Sequence, residues 1–267
     1  MHVHFLDPYR PRPSLVHMLD ARVKFVLLLA FILTNALLPV GAFPAYLLTF
    51  SLILAVEILS ELGVVYVLKR SALALPFILA ALPLLFTVKG PALFTLQLGS
   101  WSLALSQAGL ERFVSIALKS WISLQAAIVF AASTSFPDIL VAMRAVRLPR
   151  LLVAVFGLMW RYLFVLVDEV LRLMRARAAR SGQSAEGRRA GGSLVWRARV
   201  AGGMAGNLFL RGFDRSERIY MAMVARGYDG EVRTLSQPAL RLAHWMILTG
   251  GLLLLGILLI FALIFWG

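Results

Sequence analysis

Long apolar runs broken by short clusters of charge dominate this chain, and their lengths match a bilayer. A helix crossing the hydrocarbon core needs about 20 predominantly apolar residues. The first such run extends from about Val23 to Ala42, after Arg10, Arg12, Arg22 and Lys24. No short apolar core with a small-residue cleavage point is present and Pro44 follows at once, so the pattern predicts an uncleaved first span with its N-terminus in the cytoplasm. A second span starts near Ala45, after the uncharged turn Val40–Pro44, and ends at Lys69 and Arg70. The third, about Ser71 to Val88, holds Pro76 and Pro83, which remove backbone donors and predict a kink or break. Lys89 to Gln107 reads as an external loop or short interfacial segment. A fourth span covers about Ala108 to Ser133, and a last one Ala243 to Trp266, flanked by Arg241.

Composition sharpens this picture. The 267 residues are 60% hydrophobic, contain no cysteine and carry a formal net charge of +14. That hydropathy excludes a disordered chain, a disulfide framework and an ordinary soluble domain. The charge must lie outside lipid, and most of it does so in one place: from Arg144 to Arg233 there are 17 arginines against seven acidic residues, a net +10. The bias of basic residues toward the inner side places this block in the cytoplasm. Leu151 to Val167 is apolar enough to resemble a span, yet a crossing there would export the arginines, so it is expected to lie on the inner face or among other helices. The expected fold is an all-α integral membrane protein of about five spans. Its organisation is a membrane domain of four spans over 1–135, a cytoplasmic helical domain over 136–235 and a final span over 236–267.

Within the basic block, Phe136-Pro137-Asp138 and Leu148-Pro149-Arg150 start helices, since proline suits a first helical turn. They predict a helix from Asp138 to Val146 and a longer one from Arg150 to about Arg180. Residues 181–192 read as a Ser-, Gly- and Arg-rich linker, and a third helix follows from about Leu194 to Arg226. The two long helices end alike, in Ala179-Arg180-Ser181 and Ala225-Arg226-Gly227. At such an end alanine permits close approach, arginine projects a fork of donors toward a carboxylate, and a small residue lets the chain turn away. The plainer alternative is an arginine favouring the helix dipole before a glycine stop. In the third helix Ala198, Gly202 and Gly206 recur at i,i+4, a spacing that suits a close helix crossing, with the helix ending at Arg180 as one candidate partner. Leu208, Phe209, Phe213, Tyr220 and Val224 extend an apolar stripe beyond them.

Other chemistry is weaker. Gly182 to Arg189 has the glycine spacing of a phosphate loop but lacks its Lys-Ser/Thr and a preceding strand. A membrane-embedded enzyme or ion site would use Glu57 and Glu61, at i,i+4 in the second span. Against that, both sit near the cytoplasmic end of the span and could pair with Arg22, Lys69 or another basic group. His2 and His4 suggest metal capture but fall on the cytoplasmic side, where ligands for an imported metal would be misplaced. His17 and His244 lie near span ends. Acidic residues interleave with the arginines, so nucleic acid is not an expected partner, although Arg172 to Arg189 could touch lipid headgroups.

Arg211-Gly-Phe-Asp-Arg-Ser-Glu-Arg-Ile-Tyr-Met-Ala-Met-Val-Ala-Arg-Gly-Tyr-Asp-Gly230 closely resembles the signature of the transmembrane T component of energy-coupling factor transporters, its CbiQ-like cobalt and nickel branch above all. Phe5-Leu6-Asp7-Pro8-Tyr9 and the order of spans, coupling helices and final span extend the resemblance over nearly the whole chain. It implies a non-catalytic scaffold in a bacterial inner membrane. Arg180 and Arg226 would dock into two CbiO-like ATPase subunits, which bind ATP and Mg, while this chain binds no cofactor. It further implies a CbiM-like substrate-binding membrane subunit, sometimes with a small CbiN-like one. Serine at 181 replaces the usual glycine of the first motif. The cargo implied is cobalt or nickel, with biotin or another vitamin as the alternative.

Overall fold

In the computed structural model the described residues are 8–88, 90–98, 101–180, 193–230 and 239–267. Contacts divide the chain into a unit of residues 4–146 with 237–267 and a unit of residues 147–236. The first of these begins with a short helix α1 (Leu15–Met18) and α2 (Ala21–Leu37), N-capped by Ser14 and Asp20. The Asp20 carboxylate accepts from the Arg22 amide at 2.9 Å, satisfying a donor that the helix start leaves open. At the other end of α2, before Pro39, Lys119 Nζ donates to the carbonyls of Ala36 and Leu38. Gly41 turns the chain with φ +83°, and α3 (Phe43–Leu59) follows with Pro44 in its first turn.

The expected second span is not one helix. It ends at Leu59, passes through Glu61 at φ +54° and Gly63 at φ +86°, and resumes as α4 (Val64–Ser71). Two left-handed residues so close together cannot belong to a right-handed helix. The third span is broken as its prolines predict, into a 3-10 turn (Ala72–Ala74), α5 (Leu75–Ala80) with Pro76 in its first turn, and α6 (Leu84–Thr87) capped by Pro83. Within Lys89 to Gln107, expected as an external loop or short interfacial segment, the structure has two strands. They pair as an antiparallel hairpin, β1 (Ala92–Leu98) and β2 (Trp101–Ser106), with Leu98 opposite Trp101. This is a small addition to a membrane protein built otherwise of helices.

At the centre of this unit is α7 (Gln107–Ser133), which packs against α2, α3, α4 and α6. Its first turn approaches α6 so closely that a Cβ at Gly109 would lie 2.7 Å from the Leu84 carbonyl oxygen and 2.9 Å from that of Leu85. Along its length polar side chains bridge helices: Asn35 Nδ2 donates to Lys119 O and Ser123 Oγ at 2.8 Å each, and Lys24 Nζ to Ser133 O at 2.9 Å. Apolar packing of Phe31, Tyr46, Ile53, Ile122, Ala126 and Leu255 fills the middle. After α8 (Phe136–Ala145), which groups with this unit, the last helix α11 (Leu242–Trp266) lies on α2, with Gly251 against Leu27.

Among the described residues, four helical stretches are long and apolar enough to cross a membrane: Val64–Thr87, Gln107–Ser133, Arg150–Arg180 and Leu242–Trp266. This set differs from the expected five spans. Helices α2 and α3 have 17 residues each, about 26 Å at 1.5 Å per residue, somewhat short of a 30 Å hydrocarbon core. Arg150–Arg180 qualifies by length and composition although Leu151–Val167 was expected on the inner face or among other helices.

The unit of residues 147–236 is a helical pair. Arg147 at φ +61° and Pro149 launch α9 (Arg150–Arg180), and α10 (Leu194–Val224) is N-capped by Ser193, whose hydroxyl accepts from the Trp196 amide at 3.2 Å. Glu169 meets Arg211, while Leu173 and Arg177 share a groove with Val200 and Trp196. Numbers rise along one helix as they fall along the other, so the two run antiparallel.

Candidate coupling site at the helix tips

Helix α10 carries a half-buried row of Val200, Met204, Leu208, Gly212, Arg215 and Ile219, and the first five of these line grooves shared with α9. The spacing is helical, one residue per turn on one face. The small residues Ala198, Gly202 and Gly206 are on a different face. All three are exposed, and a Cβ built on either glycine meets nothing within 4 Å. A crossing between this stripe and the helix ending at Arg180 is therefore not what the structure has. The α10 glycine nearest α9 is Gly212, whose added Cβ would lie 4.0 Å from Leu166 Cδ2. The stripe continues instead into Phe209, Phe213, Tyr220 and Val224, all exposed.

An ion pair ties the helices together. Glu169, mostly buried, accepts from Arg211 at 2.5 Å and lies 3.7 Å from Arg172. Arg211 also donates through Nε to Asn207 Oδ1 at 3.2 Å. Beside this pair a groove of about 520 Å3 opens between the end of α9 and the start of α10.

The α10 tip closes in a defined way. The Gly227 amide donates to Val224 O at 2.9 Å and the Tyr228 amide to Met223 O at 3.0 Å, while Gly227 adopts φ +79°. This is the 6→1 and 5→2 bonding of a Schellman motif with glycine in the left-handed position. It explains the Ala-Arg-Gly order: Arg226 is the last residue before the chain turns away, exposed at the helix end, and glycine allows that turn without a Cβ penalty. At the other tip Arg180 is the last residue of α9, exposed, with Arg177 one turn before it. Both favour the negative end of the helix dipole. Ser181 and the phosphate-loop-like stretch of residues 182–189 lie outside the described residues, as do His2, His4 and Phe5–Asp7.

The remaining candidates separate. Glu57 is fully buried on α3, and neither carboxylate oxygen has a hydrogen-bond partner among the described residues. Glu61 is exposed beyond the helix end, so the i,i+4 spacing does not put the two on one face. Among the described residues Glu57 makes no ion pair with Arg22, Lys69 or another basic group; Arg22 lies 3.5 Å from Asp20. His17 is held locally, its Nε2 donating to Arg10 O at 2.9 Å and its Nδ1 accepting from Ser14 Oγ at 2.6 Å. Burial, aided by the charge of Lys24, holds its pKa below the ordinary value. No group of three or more metal-ligating side chains occurs among the described residues.

With this geometry in place, comparison with known proteins decides the family. The family described as cobalt transport protein, CbiQ, matches residues 13–237. The chain belongs to the CbiQ family. Cobalt transport protein CbiQ of Rhodobacter capsulatus is 29% identical over 67% of this chain and 72% of its own length. The energy-coupling factor transporter transmembrane protein EcfT of Listeria innocua is 26% identical over 98% and 97%. An uncharacterised protein of Methanocaldococcus jannaschii is 23% identical over 96% and 86%. CbiQ and EcfT proteins are the membrane-spanning T component of energy-coupling factor transporters, a non-catalytic subunit that works with ATPases and a substrate-binding subunit. The resemblance drawn from Arg211–Gly230 thus extends over most of the chain. Arg177, Trp196 and the Glu169–Arg211 pair did not stand out in the sequence; only Arg177, three residues before Arg180, left a trace there.

Proposed function

We propose that this chain couples ATP hydrolysis in two partner ATPases to the import of cobalt or nickel ions, with Arg180 and Arg226 as its docking points. The Schellman closure at residues 223–228 carries this reading, because it aims Arg226 out of the end of a 31-residue lever. ATP-driven closure of the ATPases would draw the tips of α9 and α10 together and move the substrate-binding subunit. In the CbiO-, CbiM- and CbiN-like arrangement this unit faces the cytoplasm of a bacterial inner membrane, with the N-terminus on the same side and Leu151–Val167 against the inner face. The domain limits of 135 and 235 belong to this reading, as does a CbiM-like contact along Ala198, Gly202 and Gly206, whose open faces admit a close helix crossing. Metal as cargo draws on the CbiQ family match and the Rhodobacter capsulatus relative's name. Import of biotin or another vitamin through an energy-coupling factor transporter is the second reading.

The test is coexpression with the ATPase and substrate-binding subunits. The Arg180→Ala, Arg226→Ala double variant is expected to lose ATPase recovery and radioactive cobalt uptake while still inserting into the membrane. Normal uptake and normal complex recovery in that variant would sink the proposal.

A further inference from the structure

The two arginine tips are built differently. On α10 the residues one turn before Arg226 are Ala222 and Met223, and the last helical turn holds no basic residue. On α9 the last turn holds both Arg177 and Arg180, and both line the groove of about 520 Å3. We propose that this groove is a socket for a carboxylate-bearing segment of the partner ATPase, gripped jointly by Arg177 and Arg180, so that α9 receives where α10 inserts. The proposal rests on the coupling reading above and adds to it a second docking residue and a difference between the tips.

Several observations carry it. Ala176 and Gly203 line the groove without a long side chain to fill it; a Cβ on Gly203 meets nothing within 4 Å. Three arginines line it and no acidic residue does. Arg211 is already engaged by Glu169 and Asn207, whereas Arg177 and Arg180 have no carboxylate among the described residues. Three positions apart on one helix, their guanidiniums share a face and can fork onto one acidic side chain. Trp196, Val200 and Met204 supply an apolar wall that lowers the local dielectric and strengthens such a pair. A mixed lining of this kind suits an acidic residue flanked by apolar ones.

The test uses the full chain coexpressed with its ATPase and substrate-binding subunits. A photo-crosslinking residue placed at Met204, on the groove wall, is expected to capture the ATPase. Arg177→Ala is expected to lower ATPase recovery about tenfold, Arg177→Lys to restore part of it, and Arg177→Ala with Arg180→Ala to abolish it. Unchanged thermal unfolding of the variants would assign these losses to docking. Recovery with Arg177→Ala equal to that of the unaltered chain, while Arg226→Ala loses the ATPase, overturns the socket alone. Capture of lipid or of the substrate-binding subunit from position 204 likewise overturns it. An unaltered chain that recovers no ATPase overturns the coupling reading and the socket with it.

Discussion

Helices α7 and α10 are both long, yet they are held by opposite means. Helix α7 buries eight of its 27 residues, including Gln125 and three serine or glycine positions that let neighbours approach. None of the 31 residues of α10 is fully buried, although Phe209, Met221 and Leu194 are among its large side chains. Helix α11 is also largely exposed, but its exposed side chains are almost all apolar, as lipid requires. On α10 arginines and acids interleave with the apolar residues, so lipid alone cannot cover it. One helix is packed on several sides by its own unit. The other leaves most of its residues exposed among the described residues.

This contrast predicts that substitutions on α10 and α9 will damage assembly and leave folding intact, and the reverse for α7. The largest effect is expected for Arg226→Ala, about 2–5 kcal/mol of ATPase docking with an unchanged unfolding midpoint in detergent. A comparable fall in that midpoint would mean that the tip supports the fold. Next comes Gly109→Val, whose side chain would press on the Leu84 and Leu85 carbonyls. Overpacking against backbone predicts a loss of about 1–3 kcal/mol, read as a lower unfolding midpoint. The matched change on α10, Gly203→Ala, enters open space and should stabilise the helix by about 1 kcal/mol.

Smaller effects probe how the membrane unit is stitched. Asn35→Leu removes both donors to α7, and interhelical hydrogen bonds of this kind contribute about 0.6–1.7 kcal/mol. A midpoint unchanged by it would show that packing alone joins α2 to α7. The smallest is a pH effect at His17. Its folded pKa lies below the ordinary 6.5, chiefly through burial, so folding favours the neutral ring. The unfolded chain then binds more protons as pH falls, and the contribution, full above 6.5, declines as pH drops through 6.5 toward the folded value. Unfolding midpoints measured from pH 8 to pH 5 should show this decline, and His17→Gln should flatten it.

Much of this was legible in the residues. Helix α9 begins and ends where Pro149 and the Arg180 motif place it, and Pro76 and Pro83 break the third apolar run as their missing donors require. The hairpin was legible too: Phe94, Leu96 and Leu98 alternate with Thr95 and Gln97, and Trp101, Leu103 and Leu105 with Ser102, Ala104 and Ser106. That period of two is short and lies between the longer apolar runs Ser71–Val88 and Ala108–Ser133, whose hydropathy dominates this part of the chain. The break between α3 and α4 had one cue, Gly63, but nothing local shows that Glu61 also goes left-handed.

Which residues are apolar, basic or small depends on composition and spacing alone, and these by themselves determined a membrane protein, its basic helical block and its two arginine tips. Only tertiary structure decided which face of α10 meets α9, because α10 carries two candidate faces of similar quality. Val200, Met204 and Leu208 supply larger side chains to the side facing α9, and Arg211 on that side reaches Glu169. The small-residue stripe, having nothing to interlock with α9, was left outward, and Ala176 and Gly203 line the groove beside Arg177 and Arg180.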